Sequence, residues 1–114
     1  MNLQEIIQTL NLQVLTNPQD FQNIEPQAGY TSDLLSCVMA GASKQSVWVT
    51  LQAHANIVAV AALLDLAAVI ITEGAMPDQA TINKANDEGI TLLSTPLKSF
   101  EVVGRLWEMG VRSD

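Results

Sequence analysis

Apolar residues along the chain switch between two periods. Leu3, Ile6, Ile7 and Leu10 recur at i, i+3, i+4 and i+7, the stripe of an amphipathic helix. Leu12–Leu15 reads as a short strand closed by Asn17-Pro18, and Phe21–Glu25 as a further extended candidate ended by Pro26 and Gly29. Thr31 or Ser32 can cap a second helix, with Asp33 near its positive end. Leu34, Leu35, Val38 and Met39 would share its buried face, and Gly41 would end it. Val47–Leu51 is a β-branched and aromatic run, and Asn56 caps an apolar helix over Ile57–Leu64. Ala67–Ile71 is continuously apolar, as in a strand covered on both faces. Pro77 and Asp78 open a helix that Gly89 closes, and Ile90–Leu93 is another strand. Ser99 caps a last helix ending at Met109, with Gly110 beyond it.

Strands alternating with helices through short loops predict right-handed crossovers and a mainly parallel sheet. The expected architecture is α/β, three layers deep (α/β/α). The three late helices differ. In the last one, Phe100, Val102, Val103, Leu106, Trp107 and Met109 fill half the circumference, opposite Glu101, Arg105 and Glu108. The helix from Asp78 to Glu88 is mostly solvated. The helix over Ile57–Leu64 has no polar face at all, so something must cover every side of it. A second copy of the chain is one such cover. The expectation is a homodimer or dimer-based oligomer with this helix near its interface, unless residues 3–25 supply the cover.

Composition narrows the partners. The chain has 114 residues, 48% of them apolar and 15% charged, with a net charge of −7. That excludes a disordered chain and predicts one domain over residues 1–114. No basic stripe exists for nucleic acid or an anionic membrane. The start of the chain lacks the pattern of a signal peptide, and no apolar run is long enough to span a membrane. A cytoplasmic protein is expected. One Cys (Cys37) and one His (His54) leave no internal disulfide and no structural zinc site. No phosphate-binding loop, dinucleotide fingerprint or nucleophile elbow is present, so no cofactor and no metal are expected.

Ligands of parallel α/β sheets bind beyond the carboxyl ends of the strands. Those ends carry Gln52, His54, Asn56, Thr72, Glu73, Gly74, Ser94 and Thr95, and nearby helix starts offer N–H groups to an anion. Two uses of these residues are open: a ligand-binding rim, or caps and turns only. His54 and Glu73 at neighbouring strand ends form the one conceivable acid–base pair. No third group is visible to orient the histidine, so no catalytic residue is assigned.

The chain resembles the DRTGG domain family over positions 29–112. The resemblance is carried by Gly29-Tyr30-Thr31-Ser32-Asp33-Leu34-Leu35-Ser36, Val47-Trp48-Val49-Thr50, Asn56-Ile57-Val58-Ala59-Val60-Ala61, Ala68-Val69-Ile70-Ile71-Thr72-Glu73-Gly74 and Ala85-Asn86-Asp87-Glu88-Gly89-Ile90. Positions 1–28 precede it with a helix and short strands. Gln52-Ala53-His54 stands where the family has a Gly-Asp-Arg loop, and Thr72-Glu73-Gly74 where it has a Thr-Gly-Gly turn. The resemblance implies a fold like the N-terminal domain of HPr kinase/phosphorylase. It implies a regulatory or assembly module whose chemistry sits elsewhere, as in CBS-containing pyrophosphatases and long phosphotransacetylases. Standalone members are similar to proteins encoded beside iron-only hydrogenase subunits. The function expected is therefore a non-enzymatic, self-associating regulatory domain, accessory to a metabolic or hydrogenase-type redox enzyme. The alternative is a sensor of a nucleotide or anionic metabolite at the strand ends.

Overall fold

The computed structural model describes every residue from Met1 to Asp114. Five strands form one sheet: β1 (Gln13–Val14), β2 (Ala28–Thr31), β3 (Ser46–Thr50), β4 (Ala68–Ile71) and β5 (Leu92–Ser94), in the order β1-β5-β4-β3-β2. β2 to β5 are parallel, and β1 pairs antiparallel with β5. The helices are α1 (Leu3–Leu10), α2 (Leu35–Gly41), α3 (Asn56–Leu64), α4 (Gln79–Glu88) and α5 (Ser99–Glu108). The expected three-layer α/β architecture is what the chain adopts.

The central strands are buried on both faces, and alternation sorts them into two cores. Val47, Val49, Ala68, Ile70 and Leu93 face α1 and α5. Trp48, Val69, Ile71 and Leu92 face α2, α3 and α4. The all-apolar character of α3 has a local cause. It lies in the middle of its layer, with α2 on one side and α4 on the other. Ile57, Val58, Val60 and Ala61 are buried, and only Ala59 and Leu63 remain as exposed apolar residues. The cover thus comes from neighbouring helices of the same chain. Residues 3–25 serve the opposite face.

Several sequence expectations shift. β2 lies where Gly29 and Thr31 signal a break and a cap. The glycine is there for space, since a Cβ would come within 3.1 Å of Val111 Cγ1. Phe21–Asn23 is a 3-10 turn whose Phe21 plugs the core beneath α1, not a strand. In α2 only Val38 is buried, while Leu34 and Met39 are exposed. In α5 Val102 and Leu106 are buried, yet Phe100 is 92% and Trp107 53% exposed.

Gly41 is the last residue of α2 and Ala42 its C-cap, so the glycine is there for space and not to end the helix. A Cβ there would meet the Tyr30 hydroxyl at 2.5 Å and its ring at 2.7 Å. Tyr30 is held in place by donating to Cys37 O at 3.1 Å. Ala normally stabilises a helix over Gly by about 1 kcal/mol. Gly41→Ala is expected to destabilise the protein instead, because Tyr30 must leave its site, whereas the same change in a Tyr30→Leu background should be neutral or stabilising. Urea unfolding of the four proteins measures the sign.

Candidate functional site

The strand ends after β2 and β3 are fastened together. Asp33 Oδ1 accepts from the Thr50 hydroxyl at 2.8 Å and from Leu51 N–H at 2.9 Å. Gln52 Nε2 donates to Asp33 O at 3.1 Å, and Trp48 Nε1 donates to Ser32 O at 2.9 Å. Asp33 therefore acts between strands and not as a charge on the α2 dipole. Gln52 is drawn toward this clip.

The loops after β4 and β5 diverge, because β4 feeds α4 on one face and β5 feeds α5 on the other. This is the place where a crevice would open. The chain fills it with its own bonds. Glu73 N–H donates to Leu97 O and Gly74 N–H to Thr95 O, at 2.8 and 3.1 Å. The buried Thr72 hydroxyl meets the Ser99 hydroxyl at 2.5 Å. Glu73 Oε2 accepts from Ser99 N–H at 2.8 Å, and its other oxygen lies 3.9 Å from Lys98 Nζ. Ser99, expected to cap α5, is its first residue, and Glu73 from another loop supplies the acceptor.

The same holds at the other helix starts. Asn56, expected as a cap, opens α3, and its N–H donates to His54 Nδ1 at 3.1 Å. Asp78 caps α4 as expected, accepting from Thr81 N–H at 2.8 Å. Hydrogen bonds from the Thr81 side chain and backbone, with a smaller contribution from nearby His54, hold the Asp78 carboxyl below its usual value. All three N-termini at the rim thus carry an acceptor from their own chain, which takes up N–H groups an anion would need.

The eight expected site residues do not converge. Gly74, Ser94 and Thr95 line one pocket of about 290 Å³, together with Asn11, Gln13 and Met76. Gln52 belongs to the Asp33 clip, His54 and Asn56 to the start of α3, and Thr72 and Glu73 to the start of α5. No hydrogen bond or ion pair joins His54 to Glu73, so the acid–base pair does not assemble. Asn11 and Gln13 reach the pocket because β1 runs antiparallel beside β5. That pairing leaves no local mark on the sequence. No ionisable side chain lines this pocket, so its amide and hydroxyl groups suit a neutral polar ligand.

A second, apolar concavity of about 180 Å³ lies between β2, α5 and the last residues. Only α1 and α5 cover this face, and no helix sits over β2. Val49, Val103, Leu106, Trp107 and Val111 form its walls. Arg112 stacks 4.2 Å from the Trp107 ring and donates to Trp107 O. Its backbone O accepts from Gly29 N–H at 2.9 Å, which covers part of the β2 edge.

Fold and surface together define an α/β domain whose strand-end loops are bonded to one another beside one uncharged polar pocket and whose open apolar surface lies on one helix layer. The chain belongs to the DRTGG domain family, whose sequence profile matches residues 29–109. Its fold is similar to a solved structure of the CBS and DRTGG domains of the regulatory region of Clostridium perfringens pyrophosphatase, complexed with its activator, diadenosine tetraphosphate. The TM-score is 0.73 at 21% identity, over 90% of this chain and 44% of that one. The chain thus spans less than half of that structure. No curated protein matches it. No helix is long and apolar enough to cross a membrane.

Glu73 has φ +63°, a left-handed conformation that explains the glycine in the family's turn. Glu73→Ala keeps the strain and loses the α5 acceptor, at an expected cost of about 1 kcal/mol. Glu73→Gly also relieves about 1 kcal/mol of strain and should come out near neutral. Paired urea titrations distinguish the two.

Because the folded Asp78 value is lowered, its support of α4 is complete above the ordinary aspartate value of 3.8 and lost as pH falls through the lowered one. Asn also caps helices but does not titrate. The stability advantage of wild type over Asp78→Asn is expected to shrink from pH 7 to pH 3, as followed by thermal unfolding.

Proposed function

We propose that this chain is a non-catalytic regulatory and interaction domain that self-associates and serves a larger metabolic or redox enzyme. The observation that carries this reading is the apolar surface of α5. Phe100, 92% exposed, and Trp107, 53% exposed, stand beside the apolar concavity over β2. Large exposed aromatics next to an apolar groove mark interaction surfaces. The strand-end rim supports the reading from the other side. Its polar groups are spent on caps and inter-loop bonds, and no nucleophile, base and orienting group converge there. The similar pyrophosphatase domain belongs to a regulatory region, which is consistent with such a role.

A second reading, a small-ligand sensor, is favoured by the uncharged pocket of Gly74, Ser94 and Thr95 with Asn11 and Gln13. It points to a neutral polar compound in preference to a nucleotide.

Sedimentation equilibrium at micromolar concentration is expected to give twice the 12.3 kDa chain mass. A monomer overturns the self-associating reading. Calorimetry against nucleosides and neutral sugars tests the second one. Binding weakened by Gln13→Ala and untouched by His54→Ala would support it, and no binding at millimolar concentration would remove it.

A further inference from the structure

We propose that the uncharged pocket beside β1 takes a flat, uncharged heterocycle with a lactam edge, the chemistry of a free nucleobase, in preference to a sugar. The proposal rests on the small-ligand reading and gives its site a ligand class.

Most polar side chains at the strand ends are bonded within the chain, and those of this pocket are the exception. Ser94 is only 5% exposed, yet the one partner of its hydroxyl in the chain is Gln13 Oε1 at 3.5 Å. Bonds between oxygens cluster at about 2.7–2.8 Å, so at that length a buried hydroxyl is left nearly unspent. Thr95 is 4% exposed. Its Oγ1 accepts from Leu97 N–H at 3.1 Å, and its hydroxyl proton has no acceptor in the chain. Both residues line the pocket, so a bound molecule can supply the missing partners.

The edge strand completes the set. Gln13 stands opposite Ser94 in the antiparallel β1–β5 register, which brings its carboxamide to the hydroxyl. The Gln13 amide hydrogens donate to no group of the chain, and the Asn11 carboxamide makes no hydrogen bond within it. Both residues precede the span 29–109 that the family profile describes, so this wall of the pocket belongs to the chain's own N-terminal segment.

A carboxamide presents a donor and an acceptor side by side, and a hydroxyl serves as either. Such a set complements a lactam edge, where N–H and C=O alternate. Met76, 55% exposed, offers a polarisable thioether to the face of a flat ring. No atom lies within 4 Å of where a Cβ of Gly74 would be, so the wall is open beside it. A sugar carries hydroxyls around its whole rim and is held best by carboxylates and a stacked aromatic ring, and this pocket has neither. At about 290 Å³ the pocket stands at the lower end of small-molecule sites, about 300 Å³, which suits one or two fused rings. With no cation on its walls and a net charge of −7 on the chain, it offers nothing to a phosphate.

The test is calorimetry of the full chain against uracil and hypoxanthine, their N-methylated forms, glucose and ribose, all at millimolar concentration. At least one of the two heterocycles is expected to bind, and its N-methylated form, which keeps the flat face and loses the N–H edge, at least ~10-fold more weakly. Gln13 is exposed, so Gln13→Ala leaves the core intact, and circular dichroism confirms the folding of Ser94→Ala. Each variant is expected to weaken the heterocycle at least ~10-fold. Binding of a sugar with both heterocycles inert overturns this proposal and leaves the small-ligand reading standing. Methylated forms that bind as tightly overturn the lactam edge, and a heterocycle indifferent to Gln13→Ala overturns the site. No binding by any of these compounds overturns this proposal and the small-ligand reading together.

Discussion

Handedness governs the layout of this domain. Three successive parallel crossovers, β2 to β3, β3 to β4 and β4 to β5, must all turn right-handed. Because the strands are laid down in one direction, the rule commits α2, α3 and α4 to a single face. The other face is left to α1 and α5, which flank the crossover segment in sequence. Three helices cover five strands well, and two do not. The apolar all-round character of α3, the open sheet over β2 and the aromatic exposure on α5 are three results of that one asymmetry.

The same constraint shapes the strand ends. Loops that turn the same way leave little room between them, and only β4 and β5 feed opposite faces. There the chain has Glu73 in a left-handed conformation, and its carboxylate reaches Ser99 N–H across the gap. A glycine would give the turn more easily but offers no acceptor. The substitution turns a flexible bend into a latch between two loops and makes the potential crevice part of the scaffold.

What was legible in the sequence follows from which signals are local. Continuous apolar runs at Val47–Leu51 and Ala67–Ile71 located β3 and β4 within a residue, because a strand buried on both faces needs apolar residues throughout. Asp78 and Gly89 bounded α4, because cap chemistry is set by neighbours in the chain. β2 was hidden, because the close approach of Val111 that favours a glycine at position 29 comes from far away in sequence. The site was legible only in part for a related reason. Strand ends were correctly placed on one rim, but placement does not say where each side chain is spent. Gln52 turns to Asp33, and Glu73 to Ser99. Asn11 and Gln13 enter through an antiparallel edge strand that no local pattern announces.

Helical periodicity has a further limit, and α5 shows it. The row of Phe100, Val103 and Trp107 continues the apolar half-cylinder begun by Val102 and Leu106, so by pattern it reads as core. The sheet beneath α5 contacts only an arc centred between Val102 and Leu106. An apolar arc wider than its own chain can cover is either a solubility liability or a surface with a partner. The charges do not bear on that choice. Glu101 and Arg105 pair within the helix at 2.8 Å, on the side turned away from the aromatic row, and serve the helix itself. Phe100 and Trp107 stand at the outer edge of the apolar arc, past the reach of the sheet and α1, so their exposure follows from a layer of two helices that is too narrow for its strands.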